Sequence, residues 1–363
     1  MKNVKFVSTC EVQKGFAAAV RRNVNNYFKE QGISPKGNST MAFKTVAMLS
    51  MYILPFLALL FVPMNPWFGL PLVMLMGVGS AGIGMSVMHD AVHGSYSNNE
   101  KLNRNLGRTI YMLGNSVFTW RLQHNVFHHA YTNIDGFDDD IAGARIMRLS
   151  EHAPLLKIHR FQHIHAFFFY GFLTIAKFFK DFVQLRQFQK LGAIESRVSV
   201  KKEYAKMTIV KIVYFLYIVG LPLWLTEFTW WQVAIGFFML HWTAGFILST
   251  IFQMAHIVEG AEQFQANEQG IIEKDWAVHE LLTTANFARN NRFLNWYIGG
   301  LNFQIEHHLF PKICHVHYSK ISPIVEKTAK EFGIPYNVKP TFLKAFASHV
   351  RRLKELGRTP AIG

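Results

Sequence analysis

Cysteine is almost absent from this sequence: Cys10 and Cys314 are the only two among 363 residues. Two cysteines cannot form a disulfide framework, and they argue against a zinc or iron–sulfur site built on cysteine ligands. Any transition metal bound by this chain must therefore be held by nitrogen and oxygen ligands.

Other common signals are also missing. The first residues, MKNVKFVSTCEVQKGF, are too polar for the apolar core of a signal peptide. The sequence contains no internal repeat, no low-complexity segment and no recognised nucleic-acid-binding motif. We therefore predict no cleaved signal peptide and no nucleic-acid partner, even though the net charge is +15, because that charge flanks apolar segments.

Apolar residues are concentrated in four runs, each close to the roughly 20 residues that a helix needs to cross a bilayer. The runs are 41–62, 67–88, 208–228 and 231–254. Helices of soluble proteins rarely stay apolar on every face for this length, which argues against a large soluble helical core. We predict an all-α integral membrane protein with four transmembrane helices.

Basic residues are distributed unevenly around these runs. The linkers Pro63–Trp67 and Thr229–Trp230 contain no Lys or Arg, whereas residues 1–40, 89–207 and the C-terminal part contain many. By the positive-inside rule the basic segments lie in the cytoplasm, so the helices form two hairpins and both termini are cytoplasmic. The expected organisation is a basic N-terminal segment (1–40), a membrane domain with a cytoplasmic helical cap (41–345) and a C-terminal tail (346–363).

Two further apolar segments, 109–120 and 165–179, are short or flanked by charge. We predict interfacial or buried helices that do not span, since a fifth crossing would break the even number of crossings. Residues 324–336 predict a surface helix closed by Gly333 and Pro335.

Histidines form three clusters. They are box one (HDAVH; His89, His93), box two (HNVFHH; His124, His128, His129) and box three (QIEHH; Gln304, His307, His308). Spacings of three to five residues place side chains on one face of a helix, so two imidazoles one turn apart can bind one metal. Adjacent histidines diverge by about 100° on a helix, so a pair such as His128 and His129 can serve two neighbouring metals.

The predicted topology brings the three boxes to one face of the membrane, because an even number of crossings separates them. His256 lies just past the end of the fourth helix, at similar depth. Eight histidines and one glutamine are more than a single metal with about four ligands needs, and they match two metals. Nitrogen ligands suit iron, copper or zinc.

The remaining histidines are assigned other roles. His159, His163 and His165 are expected to contact lipid headgroups or bond locally, and His315 and His317 are likewise not predicted as ligands. His241, inside the fourth helix, lines a substrate channel or bonds a neighbouring helix. Surface positions are expected for His152, His279 and His349.

Together, HDAVH, HNVFHH and QIEHHLFP resemble the three histidine boxes of the membrane fatty acid desaturases. Gln304 at the start of box three is similar to the front-end subgroup, which inserts a double bond between an existing one and the carboxyl end. YTNIDGFDDDI after box two and WYIGGLNFQIEHHLFP around box three are also similar to that subgroup. The resemblance runs from about residue 40 to 345.

The resemblance implies a di-iron centre, O2 as co-substrate and an acyl-CoA or acyl-lipid substrate. The implied iron ligands are His89, His93, His124, His128, His129, His256, His307 and His308, with Gln304 binding through its amide oxygen, directly or through water. Front-end desaturases of eukaryotes often carry a fused cytochrome b5 domain with an HPGG motif, which this sequence lacks. Electrons are therefore expected from a separate acidic carrier, a ferredoxin or free cytochrome b5 with its reductase.

Carboxylates near the boxes can orient neutral imidazoles by accepting their second N–H. The candidates are Asp90, Asp138, Asp140 and Glu306. For Asp138 and Asp140 a solvated acidic turn is the alternative.

Two alternative functions stay open. The boxes build an oxidant without placing the substrate, so a membrane lipid hydroxylase or a sphingolipid desaturase fits the same residues. A membrane metal-binding or transport protein would instead bury polar residues along a path through the spans. The four runs contain few such residues apart from Lys44, Lys211, Glu227 and His241.

Overall fold

The computed structural model describes residues 4–142 and 145–361. Residues 1–3 of the expected N-terminal segment and 362–363 of the expected tail lie outside the described residues. The helices are α1 (Phe16–Gln31), α2 (Ser39–Phe61), α3 (Pro66–Gly82), α4 (His89–His93), α5 (Glu100–Gly107), α6 (Val117–Arg121), α7 (His129–Tyr131), α8 (Gln162–Tyr170), α9 (Leu173–Lys190), α10 (Val200–Phe215), α11 (Leu221–Leu225), α12 (Trp230–His256), α13 (Trp276–Thr283), α14 (Arg292–Tyr297), α15 (Gln304–Leu309), α16 (Tyr318–Glu331) and α17 (Phe342–Leu356).

Shorter elements join these helices. The π-helical segments are Ile83–Met88, Leu122–His128 and Leu216–Gly220, and the 3-10 turns are Glu11–Gln13, Arg108–Leu113, Lys157–Phe161 and His315–His317. Strand β1 (Lys5–Phe6) pairs in parallel with β2 (Ile271–Ile272), and β3 (Asn286–Phe287) pairs in parallel with β4 (Val338–Lys339).

Four stretches are long and apolar enough to cross a membrane: Ser39–Phe61, Pro66–His93, Val200–Leu225 and Trp230–His256. They match the four predicted runs, so the predicted all-α fold with four membrane helices is confirmed. A helix of 23 residues, such as α2, is about 35 Å long and covers a hydrocarbon core of about 30 Å. The second stretch continues through box one, and the third begins at Val200 because helix α10 includes the charged residues before the apolar run.

The chain divides into two compact units, each assembled from separated stretches. Unit one contains the residues up to Gly37, Gln123–Ala166 and the residues from Ile251 onward, and unit two contains Asn38–Leu122 and Phe167–Thr250. The expected boundary between residues 345 and 346 falls inside α17. Helix α17 and the N-terminal stretch are thus parts of unit one.

Helices in unit two approach closely through glycines. A Cβ at Gly79 would lie 2.8 Å from the backbone of Met51 and Tyr52, and one at Gly77 would lie 2.7 Å from the carbonyl oxygen of Leu240. Small residues allow such contacts between membrane helices, where backbones pack without an intervening side chain. These positions fix α3 between α2 and α12.

Several polar side chains buried in unit two pair with one another. Lys211 Nζ lies 2.9 Å from Asp181 Oδ2, and the Thr119 hydroxyl donates to Asp181 Oδ1 at 2.9 Å. His241 lies 2.8 Å from the Tyr214 hydroxyl through Nε2 and 3.0 Å from the Thr174 hydroxyl through Nδ1. Both ring nitrogens of His241 therefore bond side chains of neighbouring helices. This agrees with the second of its two expected roles, a bond to a neighbouring helix.

The segments predicted not to span belong to elements outside the four membrane-length apolar stretches. Residues 109–120 fold as a 3-10 turn followed by α6, and residues 165–179 are divided between α8 and α9. The division falls at Gly171, where a Cβ would lie 2.1 Å from the Trp242 ring. Helix α16 ends at Glu331, and Gly333 adopts a positive φ of 63°.

The core of unit one supports box three. Residues Phe16, Val20, Val24 and Phe28 recur every four residues on α1 and are buried, as expected for an amphipathic helix. They share one apolar cluster with residues of α13 and α16 and with Ile305 and Leu309 of α15. The N-terminal helix thus packs into the unit that carries boxes two and three.

Candidate metal centre

Box two lies on a π-helical segment, which changes which of its residues face the same way. In a π-helix the hydrogen bond runs from residue i to i+5, so residue i+5 lies one turn above residue i. His124 and His129 are five residues apart, and their Nε2 atoms lie 3.2 Å apart. His128 also stacks near His124, with ring centroids 5.5 Å apart. The π-turn therefore brings all three histidines of box two to one side.

Box three joins this group inside unit one. The His129 ring lies 4.5 Å from the His307 ring and 4.4 Å from the His308 ring, measured between centroids. His128, His256 and His308 each offer a ring nitrogen, and these atoms lie within 4.8 Å of one another. Six histidines from boxes two and three and α12 thus form one cluster, and all six imidazoles are nearly inaccessible to water. The six are His124, His128, His129, His256, His307 and His308.

Asp138 holds His128. The Nδ1–H of His128 donates to Asp138 at 3.1 Å, and Asp140 lies 3.4 Å from the same nitrogen. Asp138 is 1% exposed and accepts the backbone N–H groups of Asn133 and Asp140. Although burial alone would lower the pKa of His128, Asp138 and then Asp140 raise it to about 9. The acidic turn after box two is therefore a buried support at Asp138.

Glu280 on α13 gives His308 the same kind of support, and it was not predicted. The Nδ1–H of His308 donates to Glu280 Oε2 at 2.7 Å, with both side chains fully buried. Burial raises the pKa of Glu280 to about 8, and a cation bound nearby would oppose this shift. A glutamate inside the mostly apolar segment WAVHELL was the one feature of the sequence that could have indicated this role.

Thr132 and Asn133 connect the end of box two to its surroundings. Thr132 Oγ1 lies 2.7 Å from the His128 carbonyl oxygen and 2.9 Å from Glu280 Oε2. Asn133 has a positive φ of 54°, a conformation that asparagine tolerates better than most residues. Its side-chain amide donates to the backbone carbonyl of His256 at 3.1 Å, so this turn ties box two to the end of α12.

The other residues of box three have distinct partners. His307 Nδ1 lies 3.3 Å from the Tyr318 hydroxyl. Glu306, a predicted support for a ligand, instead accepts hydrogen bonds from Tyr336 (2.6 Å) and Asn286 (2.8 Å). Burial raises the pKa of Glu306 to about 7. Glu306 thus anchors α15 to the segments around β3 and β4.

Gln304 and His256 meet directly. Gln304 Nε2 lies 3.1 Å from His256 Nε2, and His256 Nδ1–H donates to the Thr283 carbonyl oxygen at 3.3 Å. Gln304 Oε1 is buried and has no hydrogen-bond partner among the residues that the structure describes. Rotation of the amide would exchange its oxygen and nitrogen, so the oxygen can face the position now opposite His256.

Box one lies in unit two. His89 and His93 occupy successive turns of α4, with ring centroids 4.7 Å apart, and both rings pack edge-on against Trp120. Asp90 is buried, and its carboxylate lies 3.5 Å from His89 Nδ1, at the outer limit of a hydrogen bond. A π-helical segment, Ile83–Met88, precedes this box as well.

Two histidines that we expected at the surface are buried. His279 is 0% exposed and donates to the Thr132 carbonyl oxygen at 2.8 Å. His349 is 0% exposed and donates to the Ile257 carbonyl oxygen at 2.7 Å. Burial lowers the pKa of each to about 4. The surface prediction was wrong for both, because backbone carbonyls accept hydrogen bonds from these rings inside the fold. His152, the third histidine expected at the surface, is half-buried.

Three further histidines outside the boxes donate to backbone carbonyls. His159 and His165 donate to the carbonyl oxygens of Arg145 and Ile146, which agrees with the expectation of local hydrogen bonding. His317 instead donates to the carbonyl oxygen of Lys36, 281 residues earlier in the chain.

The donor chemistry of the cluster fits metal ions. The Nδ1 atoms of His128, His256, His307 and His308 are engaged by a carboxylate, a carbonyl or a hydroxyl, which directs each Nε2 inward. His128 Nε2 is buried and has no hydrogen-bond partner within the described part of the chain. Fold and site therefore define a multi-pass membrane protein with a histidine-rich site able to hold metal.

Comparison with known proteins identifies the family. The fatty acid desaturase model matches residues 65–340, and the chain belongs to the fatty acid desaturase family. The resemblance of the three boxes is thereby confirmed, and the protein is an oxidoreductase that acts on fatty acyl lipids.

Similar relatives align over almost the whole chain. The sn-1 linoleoyl-lipid 6-desaturase of Synechocystis sp. is 36% identical over 347 residues, covering 95% of this chain and 96% of the relative. The sn-1 linoleoyl-lipid 6-desaturase of Arthrospira platensis is 34% identical, with 95% and 94% covered. The acyl-lipid (8-3)-desaturase of Physcomitrium patens is 33% identical, with 95% and 72% covered.

Proposed function

We propose that this protein is a front-end acyl-lipid desaturase that uses two histidine-bound iron ions and O2. The observation that carries the proposal is the buried cluster of imidazoles from boxes two and three and α12, whose Nδ1 atoms are held by partners such as Asp138 and Glu280. The names of the aligned relatives, which are desaturases acting on acyl lipids, support the substrate class.

We propose nine ligand residues for the two irons. They are His89, His93, His124, His128, His129, His256, His307, His308 and Gln304. For His89 and His93 the support is their one-turn spacing on α4, and for Gln304 it is the buried amide oxygen. Two irons bound there supply the oxidising power to remove two hydrogens from adjacent methylenes, while O2 takes up two electrons from the substrate and two from a donor.

The chain's own residues prepare the site in three ways. Asp138 and Glu280 accept the Nδ1–H bonds of His128 and His308, which favours the tautomer whose Nε2 carries the lone pair that a metal binds. Thr132 and Asn133 hold box two beside α12. Burial of the six imidazoles excludes bulk water, which protects a strong oxidant from side reactions.

The orientation and the electron donor complete the proposal. The distribution of Lys and Arg along the chain supports a cytoplasmic position for the termini and the site, by the positive-inside rule. A separate acidic carrier, a ferredoxin or free cytochrome b5 with its reductase, would be attracted by the basic chain. The membrane domain 41–345 remains our proposed extent for the catalytic part.

Fatty-acid profiling of a host that expresses the chain tests the proposal. Gas chromatography with mass spectrometry should show a new double bond between an existing one and the carboxyl end. His128→Ala should abolish that product and lower the iron content of the purified protein. His163→Ala, in a half-buried histidine outside the boxes, is the matched control and should change neither.

Other outcomes would point elsewhere. A hydroxylated product in place of a new double bond would identify a lipid hydroxylase, and products confined to sphingoid bases would identify a sphingolipid desaturase. Retained product in His128→Ala would contradict the ligand assignment.

A further inference from the structure

In residues 155–166 of unit one, apolar side chains face outward and polar side chains face inward, which is the reverse of a helix on a water-facing surface. This stretch comprises the 3-10 turn Lys157–Phe161 and the start of α8. Ile158, Phe161 and Ile164, three residues apart, are 48%, 56% and 66% exposed. A helix on a water-facing surface buries its apolar side, so this stretch is arranged for a different solvent.

The inward face of the stretch is polar, and backbone groups satisfy it. Gln162 is 0% exposed; its Oε1 accepts the Arg148 N–H at 2.7 Å and its Nε2 donates to the carbonyls of Arg148 (2.9 Å) and Leu353 (2.8 Å). His159 is 3% exposed and donates to the Arg145 carbonyl at 2.9 Å. Turning the apolar face inward would break these buried bonds, so the reversed arrangement is fixed.

The charges beside the apolar face have one sign. Lys157 and Arg160 are exposed and flank Ile158 and Phe161, and no Asp or Glu occurs between Glu151 and Asp181. An apolar face bordered by cations is the pattern of helices that lie in the plane of a membrane interface. Lys and Arg there reach the anionic headgroups while their stems stay apolar.

We propose that residues 155–166 are an in-plane membrane anchor, by which unit one inserts Ile158, Phe161 and Ile164 into the interface and binds anionic headgroups through Lys157 and Arg160. A lipid surface fits better than a second copy of the chain, because the flanking charges are all positive and would repel their own copies. The anchor attaches the unit that carries boxes two and three to lipid, independently of the proposed reaction.

The scarcity of cysteine makes a direct test practical. Cys10 is exposed and Cys314 is buried, so Cys10→Ser gives a background into which Phe161→Cys or Ile164→Cys can be introduced singly and labelled with a nitroxide. The full chain is placed in lipid nanodiscs, and power saturation measures collisions with O2, which partitions into lipid, and with a nickel chelate, which stays in water. Asn25→Cys, at an exposed polar position of α1, is the matched control.

We expect O2 collisions to exceed nickel collisions at positions 161 and 164, and the reverse at position 25. Nickel access at 161 and 164 equal to that at 25 would place the face in water and overturn the anchor. Low access to both reagents would show a protein partner on this face and would overturn it as well. Agreement between the two labelled positions guards against a local defect in one variant.

The headgroup contact has its own test. Adding phosphatidylglycerol to zwitterionic nanodiscs should lower nickel access at position 161, and the double variant Lys157→Gln, Arg160→Gln should lose this response. An equal response in the double variant would overturn the assignment of these two cations.

Discussion

At the residue scale, the site depends on groups that never touch a metal. Asp138 and Glu280 are buried carboxylates, each against the Nδ1 atom of one histidine. An imidazole without such an acceptor can rotate or take the wrong tautomer, and loss of an outer partner commonly costs 10–100-fold in metal affinity. The carboxylates are therefore expected to matter almost as much as the histidines.

Replacing Glu280 tests this dependence. Glu280→Leu removes the acceptor for His308 Nδ1–H, so we expect iron affinity to fall by about 10–100-fold. Glu280→Gln keeps a carbonyl oxygen and should retain much of the affinity. The measurement is iron content by mass spectrometry together with the absorption bands of the cobalt-loaded protein, which report the ligand field.

Glu331→Gln, at an exposed position of α16, is the control and should leave both readouts unchanged. Equal iron loss in Glu280→Leu and Glu280→Gln would show that the charge, and not the hydrogen bond, is what the site needs.

His349 predicts a pH dependence of stability. Its pKa is lowered to about 4 by burial, so folding favours the neutral ring, and this contribution is complete above about pH 6.5. As the pH falls from about 6.5 to about 4, the protein should lose about 3 kcal/mol from this group. Thermal unfolding in detergent should show a shallower acid loss in His349→Asn, whose amide can still donate to the Ile257 carbonyl. Parallel pH profiles for the two proteins would contradict the assignment.

At the element scale, the boxes could be predicted but the helix type around them could not. The four-residue spacing of His124 and His128 indicates a shared face, but an α-helix would turn His129 about 140° away from His124. Nothing in local propensity marks a π-turn, which forms here within the segment Leu122–His128. The roles of Glu280, Thr132 and Asn133 were not predicted either. Tertiary packing brings these residues into contact with the histidines, and their positions in the sequence do not indicate it.

The buried side chain of Arg148 bonds the C-terminal end of helix α17. Arg148 is 1% exposed, and its guanidinium donates to the carbonyls of Ala153 and Glu151 (2.6 Å each), Leu356 (2.6 Å) and Thr359 (2.8 Å). Arg148→Leu should leave these carbonyls unpaired at a cost of a few kcal/mol. We expect limited proteolysis to cut after α17 much faster in this variant.

Arg148→Lys should not rescue the helix end, because an ammonium cannot reproduce the planar fork of donors. Lys354→Leu, at an exposed position of the same helix, serves as the matched control. Unchanged cleavage in Arg148→Leu would show that the end of α17 is held by other contacts.

At the scale of the whole molecule, composition determined most of what could be predicted. Hydropathy marked the four spans, because twenty apolar residues in a row have few other uses. The burial of His279 and His349 could not be foreseen, since the sequence around a lone histidine carries no sign of the distant backbone carbonyl that will accept its hydrogen bond. The family expected from the sequence rested on the combination of three boxes, which no single box would have supported.

The basic excess predicts how the electron donor will respond to salt. With a net charge of +15, association with an acidic carrier should be steered by long-range attraction, which salt screens. We expect kcat/KM for the reduced carrier to fall steeply as ionic strength rises, while turnover with an uncharged chemical reductant stays constant. Equal salt responses for both reductants would argue against electrostatic docking.

The order of segments along the chain has a consequence for biosynthesis. Box two leaves the ribosome before the third and fourth spans, whereas Glu280 and box three follow them. During that interval His124, His128 and His129 form a group without their later partners, open to whichever divalent ion binds imidazole most tightly, and copper ranks above iron in that order. Loading with the proposed iron is therefore expected to be a late event, after the last hairpin has entered the membrane, and to depend on the supply of that metal at that moment.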